Sequence, residues 1–263
     1  MKRFFAGLVV LLVAVMGATG FAAAQDRQAA PQKVKQKVVV FYSVGVEYDH
    51  LLFAQDVLRF FSDIANKDNF NFVATTDWSS LNDAYLKDCA VMIWLNDEPH
   101  TAEQRTAFEK YMEGGGGWLG FHVSAFNAKN GKWTWFREFL GGGAFLMNSW
   151  PPLPATVVID DRTHPVTKRM PATFESPSNE WYSWEPSPRL NKDVKVLATL
   201  APSNFPLGFK DILSGGDIPV VWTNTKYRMV YLNMGHGDKI LTSPIQNNLF
   251  EDALLWLLSK DGK

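Results

Sequence analysis

Cysteine is almost absent from this chain. The 263 residues contain one, Cys89, so no intrachain disulfide can form even in an oxidising compartment. No cysteine stands at the small-residue site directly after the apolar N-terminal run, so a bacterial lipid anchor is not expected. An excess of either charge is missing too. Lys and Arg number 26 against 27 Asp and Glu, the formal charge is −1, and no Lys/Arg stripe occurs, so no nucleic-acid partner is expected. There is no internal repeat, no low-complexity tract and no sign of a second domain. Aromatic residues, by contrast, are plentiful. Ten Trp and 19 Phe sit in a chain that is 46% hydrophobic and long enough to bury a sizeable core.

The N-terminus carries an export pattern. Lys2 and Arg3 precede an apolar stretch over Leu8–Val15, and "GFAAAQ" offers a small-residue site between Ala24 and Gln25. The alternative, a single membrane span, needs a longer run than one broken by Gly17 and Gly20. Residues 1–24 are therefore expected to be a signal peptide and 25–36 a polar, disordered leader, with the folded domain over 37–260. The mature protein is expected to be periplasmic or secreted and free of the membrane. The sequence leaves its oligomeric state open.

From Lys37 onward, strand patterns alternate with helical ones. "KVVVFYS" (37–43), "FNFVATT" (70–76), "CAVMIWL" (89–95) and "WLGF" (118–121) read as strands. The first is apolar throughout, as for a strand covered on both faces. Ala54, Val57, Leu58, Phe61, Ile64 and Ala65 form one helical stripe over 50–65. Thr101 and Gln104 form a capping-box signature, and the helix they open is expected to end at Gly114, where positive φ is wanted. Further strands are expected at 155–159, 194–199, 219–224 and 228–233, with a closing helix over 248–259. The pattern predicts one α/β domain with a doubly wound, mainly parallel, flavodoxin-like sheet.

Ligands of such sheets bind beyond the carboxyl ends of the strands. That rule gathers Asp97, Glu98, His100, His122, Ser124, His236 and Asp238 at one edge. His122, at a strand-to-loop turn, is expected at the rim, and its plainer role would be a hydrogen-bonded cap without chemistry. His100 equally suits helix entry alone.

Four motifs then combine: "GGGGWLGFH" (114–122), "HPVT" (164–167), "NEWY" (179–182) and "YLNMGHG" (231–237). In this order they resemble the ThuA-like family, named for trehalose utilisation, over nearly the whole span from Lys37 to Leu258. The resemblance implies a fold similar to class I glutamine amidotransferases. Those enzymes carry a nucleophilic cysteine at the turn where this chain has His122, and Cys89 lies on another strand, so glutamine amidotransfer is not expected. The family motifs mark His122, His164, His236 and Glu180. Of these, His122, His236 and Glu180 are the expected catalytic set, and they would suit a divalent metal such as zinc. His164, held before a proline, serves equally well as a loop-shaping residue.

Residues 127–190 carry Trp133, Trp135, Trp150, Trp181, Tyr182 and Trp184 among prolines, and sugar selection is expected there. Ser124, Trp133, Trp181, Tyr182, Asp97 and Asp238 are the expected substrate contacts, although packing onto the sheet would account for any single tryptophan. The family's link with trehalose implies a small-molecule carbohydrate, either a disaccharide or an oxidised keto-glycoside, and a hydrolase, lyase or isomerase. A sugar-binding or scaffold domain without turnover is the alternative. The exported protein is expected to begin at Gln25, and N-terminal sequencing that returned Met1 from exported material would contradict this.

Overall fold

A computed structural model describes residues 35–259. The expected signal peptide and nearly all of the leader lie outside the described residues. The five strands that open the sheet are parallel: β1 (Lys37–Phe41), β2 (Asn71–Thr75), β3 (Cys89–Trp94), β4 (Gly117–Phe121) and β11 (Arg228–Leu232). In the nine-stranded sheet these five run in the order β2-β1-β3-β4-β11. Beyond β11, the strands β10 (Pro219–Asn224), β9 (Val194–Leu200), β6 (Leu153–Ile159) and β7 (Thr173–Asn179) continue as an antiparallel extension. A separate ribbon pairs β5 (Ala144–Asn148) with β8 (Tyr182–Glu185).

Strand periodicity explains why helices cover both faces. Successive side chains of β1 point oppositely. Val38 and Val40 join one core with helices α1 (Tyr48–Asp68) and α5 (Pro244–Leu258), through Phe53, Phe61 and Phe250. Val39 and Phe41 join the other, with α3 (Ala102–Glu113) and α4 (Thr134–Leu140), through Phe108, Phe136 and Phe139. On β4, Leu119 and Phe121 face the first core and Trp118 the second. Each such side chain fully removed from water contributes roughly 1.5–3 kcal/mol. The single-turn α2 (Asp83–Leu86) completes the set.

The doubly wound reading holds in the parallel half, and the late strands expected from the sequence all form. The antiparallel sense of β6, β9 and β10 was not in the pattern, nor were β5, β7 and β8. The Thr101–Gln104 capping box is present with both of its bonds. The turn after α3 differs from expectation by one residue: Gly114 has φ −74°, and Gly115 takes the positive value, +85°.

Cys89 starts β3, at the end of the sheet opposite the strand tips. It is buried, its thiol contacts the Val91 carbonyl at 3.2 Å, and burial pushes its pKa up to about 11. Cys89→Ala should cost about 1 kcal/mol in urea unfolding, while leaving any ligand binding at the opposite edge within a few-fold. Loss of binding in a folded variant would contradict this placement.

Candidate functional site

Pairing of β4 with β11 sets Phe121 opposite Leu232, so His122 and Asn233 leave the sheet side by side. His122 turns sharply there. Its φ is +44°, a left-handed value rare outside glycine, and a short 3₁₀ turn over His122–Ala125 follows. Holding a side-chain-bearing residue in this region costs about 1–3 kcal/mol, and such strain is concentrated at functional sites. Tyr231 hydroxyl donates to the His122 carbonyl at 3.1 Å, while the His122 ring packs against Tyr182 at a tilt of 32°, with centroids 4.2 Å apart. The imidazole is not at the rim, as the sequence led one to expect. It is wholly buried.

Burial fixes its chemistry. His122 Nδ1 lies 2.8 Å from the Asn233 carbonyl, which can only accept, so Nδ1 carries the proton and Nε2 presents a lone pair. Desolvation, reinforced by neighbouring His236, holds the His122 pKa well below the ordinary range. Nε2 has no hydrogen-bond partner and faces Glu180 Oε2 at 3.3 Å. Two acceptors at that distance need a cation or a proton between them. Donor atoms sharing one tetrahedral zinc lie about 3.4 Å apart, given bonds of about 2.0–2.2 Å.

The other donors converge on the same place. His236 Nε2 is 4.0 Å from Glu180 Oε2 and 3.5 Å from Glu47 Oε1, while Nδ1 is 3.7 Å from Asp49 Oδ2. Neither of its nitrogens has a hydrogen-bond partner. The sequence reading missed His50. It lies on the apolar stripe of α1, its Nε2 is also orphaned, and burial, then His122 and His236, lower its pKa to about 3. The three imidazole centroids are 5.0, 5.2 and 5.5 Å apart. Two overlapping triads, His50–His122–Glu180 and Glu47–His50–His236, each bring their donor atoms within 4.8 Å of one another. Burial pushes the Glu180 pKa up, against the pull of His236 and His50, and the carboxylate also accepts from Asn148 Nδ2. Leaving several buried nitrogens unpaired is costly, at about 1–3 kcal/mol each. The donor set therefore fits a divalent cation.

His122, His236, Glu180 and Tyr182 thus meet in one cluster. The other expected contacts do not join it. Trp181 is a core residue whose indole donates to the Leu153 carbonyl at 2.9 Å. Trp133 stacks on Phe136 and donates to Glu109 at 2.7 Å, beside Arg105. Asp238 points outward and pairs with Lys239 at 2.8 Å. Ser124 is fully buried, with an unpartnered hydroxyl. Asp97 belongs to a neighbouring group, accepting from Ser43 and from His100 Nε2 at 2.9 Å. Glu98, pushed up to about 7 by burial, pairs with Arg105 at 3.9 Å. His164 packs on Trp256 at 4.9 Å and accepts from the Val166 amide, shaping its own loop. Trp150, half-buried, approaches His236 at 6.1 Å. The signal for His50 lay in "GVEYDH", which follows the first strand at the carboxyl edge of the sheet.

The fold and this cluster define a doubly wound α/β protein whose strand β4 ends in an elbow bearing a buried imidazole. The ThuA family (trehalose utilisation) matches residues 37–257, and the chain belongs to it. A ThuA-like protein of Bacteroides uniformis is 48% identical, with a TM-score of 0.84 over 89% of this chain and 96% of that one. A ThuA-like protein of Parabacteroides merdae shares the fold at 17% identity and a TM-score of 0.62, covering 86% of this chain and 90% of that one. The beta-galactosidase of Bacillus circulans sp. alkalophilus shares the fold at 12% identity and a TM-score of 0.50, over 86% of this chain but 31% of its own. No curated protein matches the chain.

The elbow leaves no room on one side. A Cβ added at Gly235 would sit 2.5 Å from the Cβ of His122. Gly235→Ala should therefore destabilise the fold by about 1–3 kcal/mol in urea unfolding, as overpacking does. An unchanged midpoint would mean that the two loops can part freely.

Proposed function

We propose that this protein is an exported, metal-assisted enzyme of carbohydrate utilisation, acting on a disaccharide or keto-glycoside. The observation that carries the reading is the set of orphaned imidazole nitrogens converging on Glu180. His50 and His122, kept neutral by burial, together with Glu180, would hold the cation. When bound, a divalent cation would supply Lewis-acid polarisation of a keto oxygen. A ketone on the sugar acidifies the adjoining C–H, and His236 would take that proton. Glu47 and Asp49, 3.5 and 3.7 Å from its two nitrogens, would steady the imidazolium so formed. This scheme serves elimination, hydrolysis or isomerisation without a glycosidase's pair of carboxylates. Trp150 and Tyr182 border the cluster and could face the sugar.

One observation favours a second reading. The three rings are at most 7% exposed, so the same cluster could hold a structural ion beneath a sugar-binding surface without turnover.

Elemental analysis of the purified protein should find about one divalent ion per chain, removable by chelator. His122→Ala and Glu180→Gln should each lower the affinity at least tenfold with unchanged circular dichroism. Keto-disaccharides and glycosides incubated with the loaded protein should be consumed, and chelation should stop this. Failure to bind zinc, manganese or cobalt even after reconstitution would overturn the metal reading, while binding without turnover of any sugar would favour the second.

A further inference from the structure

The Asn179 side chain hydrogen-bonds to main-chain groups and not to the cluster's donor atoms, yet it ties three of the cluster residues together. It ends the edge strand β7, is fully buried, and uses its whole hydrogen-bonding capacity. Oδ1 accepts from the amides of Gly235 and His236, at 3.0 and 3.1 Å. Nδ2 donates to the carbonyls of Glu180 and Asn233, at 2.9 and 3.3 Å. A side-chain amide has two donors and room for two acceptors, and here each is used. Turning the amide over would set oxygen against two carbonyls and NH₂ against two amides, so its orientation is fixed.

The Asn233 carbonyl is the informative partner. It accepts from Asn179 Nδ2 and from His122 Nδ1 together, so the group that sets the tautomer of His122 is itself held by Asn179. The same side chain fixes the backbone of His236 and the carbonyl of Glu180. Three separate pieces of chain, the β4 elbow, the loop after β11 and the β7–β8 turn, are thereby registered against one another.

We infer that Asn179 is the positioning residue of the cluster: it holds His122 in the Nδ1–H tautomer and sets His236 and Glu180 at their donor spacing. The inference about spacing rests on the metal reading above; the inference about tautomer does not. Partners of this kind typically change metal affinity by about tenfold to a hundredfold when lost. Asn179→Asp keeps the shape and both acceptor bonds but replaces the two donor bonds with an oxygen facing two carbonyls.

The test has two arms on the full mature protein. In the metal-free protein, ¹⁵N–¹H correlation of the imidazoles should show His122 as the Nδ1–H tautomer, and Asn179→Asp should convert it to a mixture. With cobalt(II) as the probe, Asn179→Asp should weaken binding by about tenfold to a hundredfold and alter the visible spectrum. Asn224→Asp serves as the control. Asn224 is a buried asparagine that donates to the Phe139 carbonyl at 3.0 Å, and its replacement should lower stability without changing either signal. If Asn179→Asp does not fold, Asn179→Ser, which also loses part of the donor set, is read in the same way. An unchanged tautomer together with unchanged cobalt affinity in a folded variant would overturn the inference, as would equal effects from the Asn224 control. A wild-type protein that binds no cobalt would refute the metal reading and leave the tautomer arm to decide the role of Asn179.

Discussion

One hydrogen bond organises this molecule's carboxyl edge: the contact between the imidazole of His122 and the main-chain carbonyl of Asn233. It exists because β4 and β11 are adjacent, parallel and in register to their last residues. Their carboxyl ends therefore deliver two loops to the same point. From that contact follow the tautomer, the direction of the lone pair and the facing of Nε2 towards Glu180. The strain at φ +44° is sustained because the turn is held from several sides, by Tyr231, Tyr182 and the close approach of Gly235.

The antiparallel half of the sheet has its own part in the site. Glu180 comes neither from the parallel strands nor from their helices, but from the junction of β7 and β8. The sheet order places β7 at the far edge from β2, yet its last residue reaches the loop that follows β11. The familiar doubly wound half supplies the imidazoles, and the extension supplies the carboxylate.

Much of this was legible in the sequence, and the failures have physical reasons. Val38–Phe41 and Trp118–Phe121 declare buried strands because both faces are covered, and the ends of those strands locate His122. Strand β7, "TFESPSN", reads as a loop because an edge strand tolerates both polar residues and Pro177. Trp181 and Trp133 look like sugar platforms, since a tryptophan between prolines carries the same one-dimensional signal whether it faces a cleft or fills a core. His50 was hidden in the opposite way. It lies on the helical stripe with Phe53, Ala54 and Val57, and hydrophobic periodicity gives a polar residue on the inner face no mark of its own. Asp97 and His100 do reach the same edge of the sheet, but the edge is wide enough for two groups, and spacing along the chain does not say which residues share one.

The lone cysteine gains a different meaning beside this cluster. Disulfides stabilise a fold by joining stretches of chain that the unfolded state would let wander, and this chain can make none. His50, His122 and Glu180 come from the start of α1, the end of β4 and the turn after β7, segments far apart in sequence. An ion gripped by all three would close long loops as a disulfide does, stapling the molecule without any thiol. Such a staple would be indifferent to the redox state of its surroundings and would open to a chelator where a disulfide opens to a reductant.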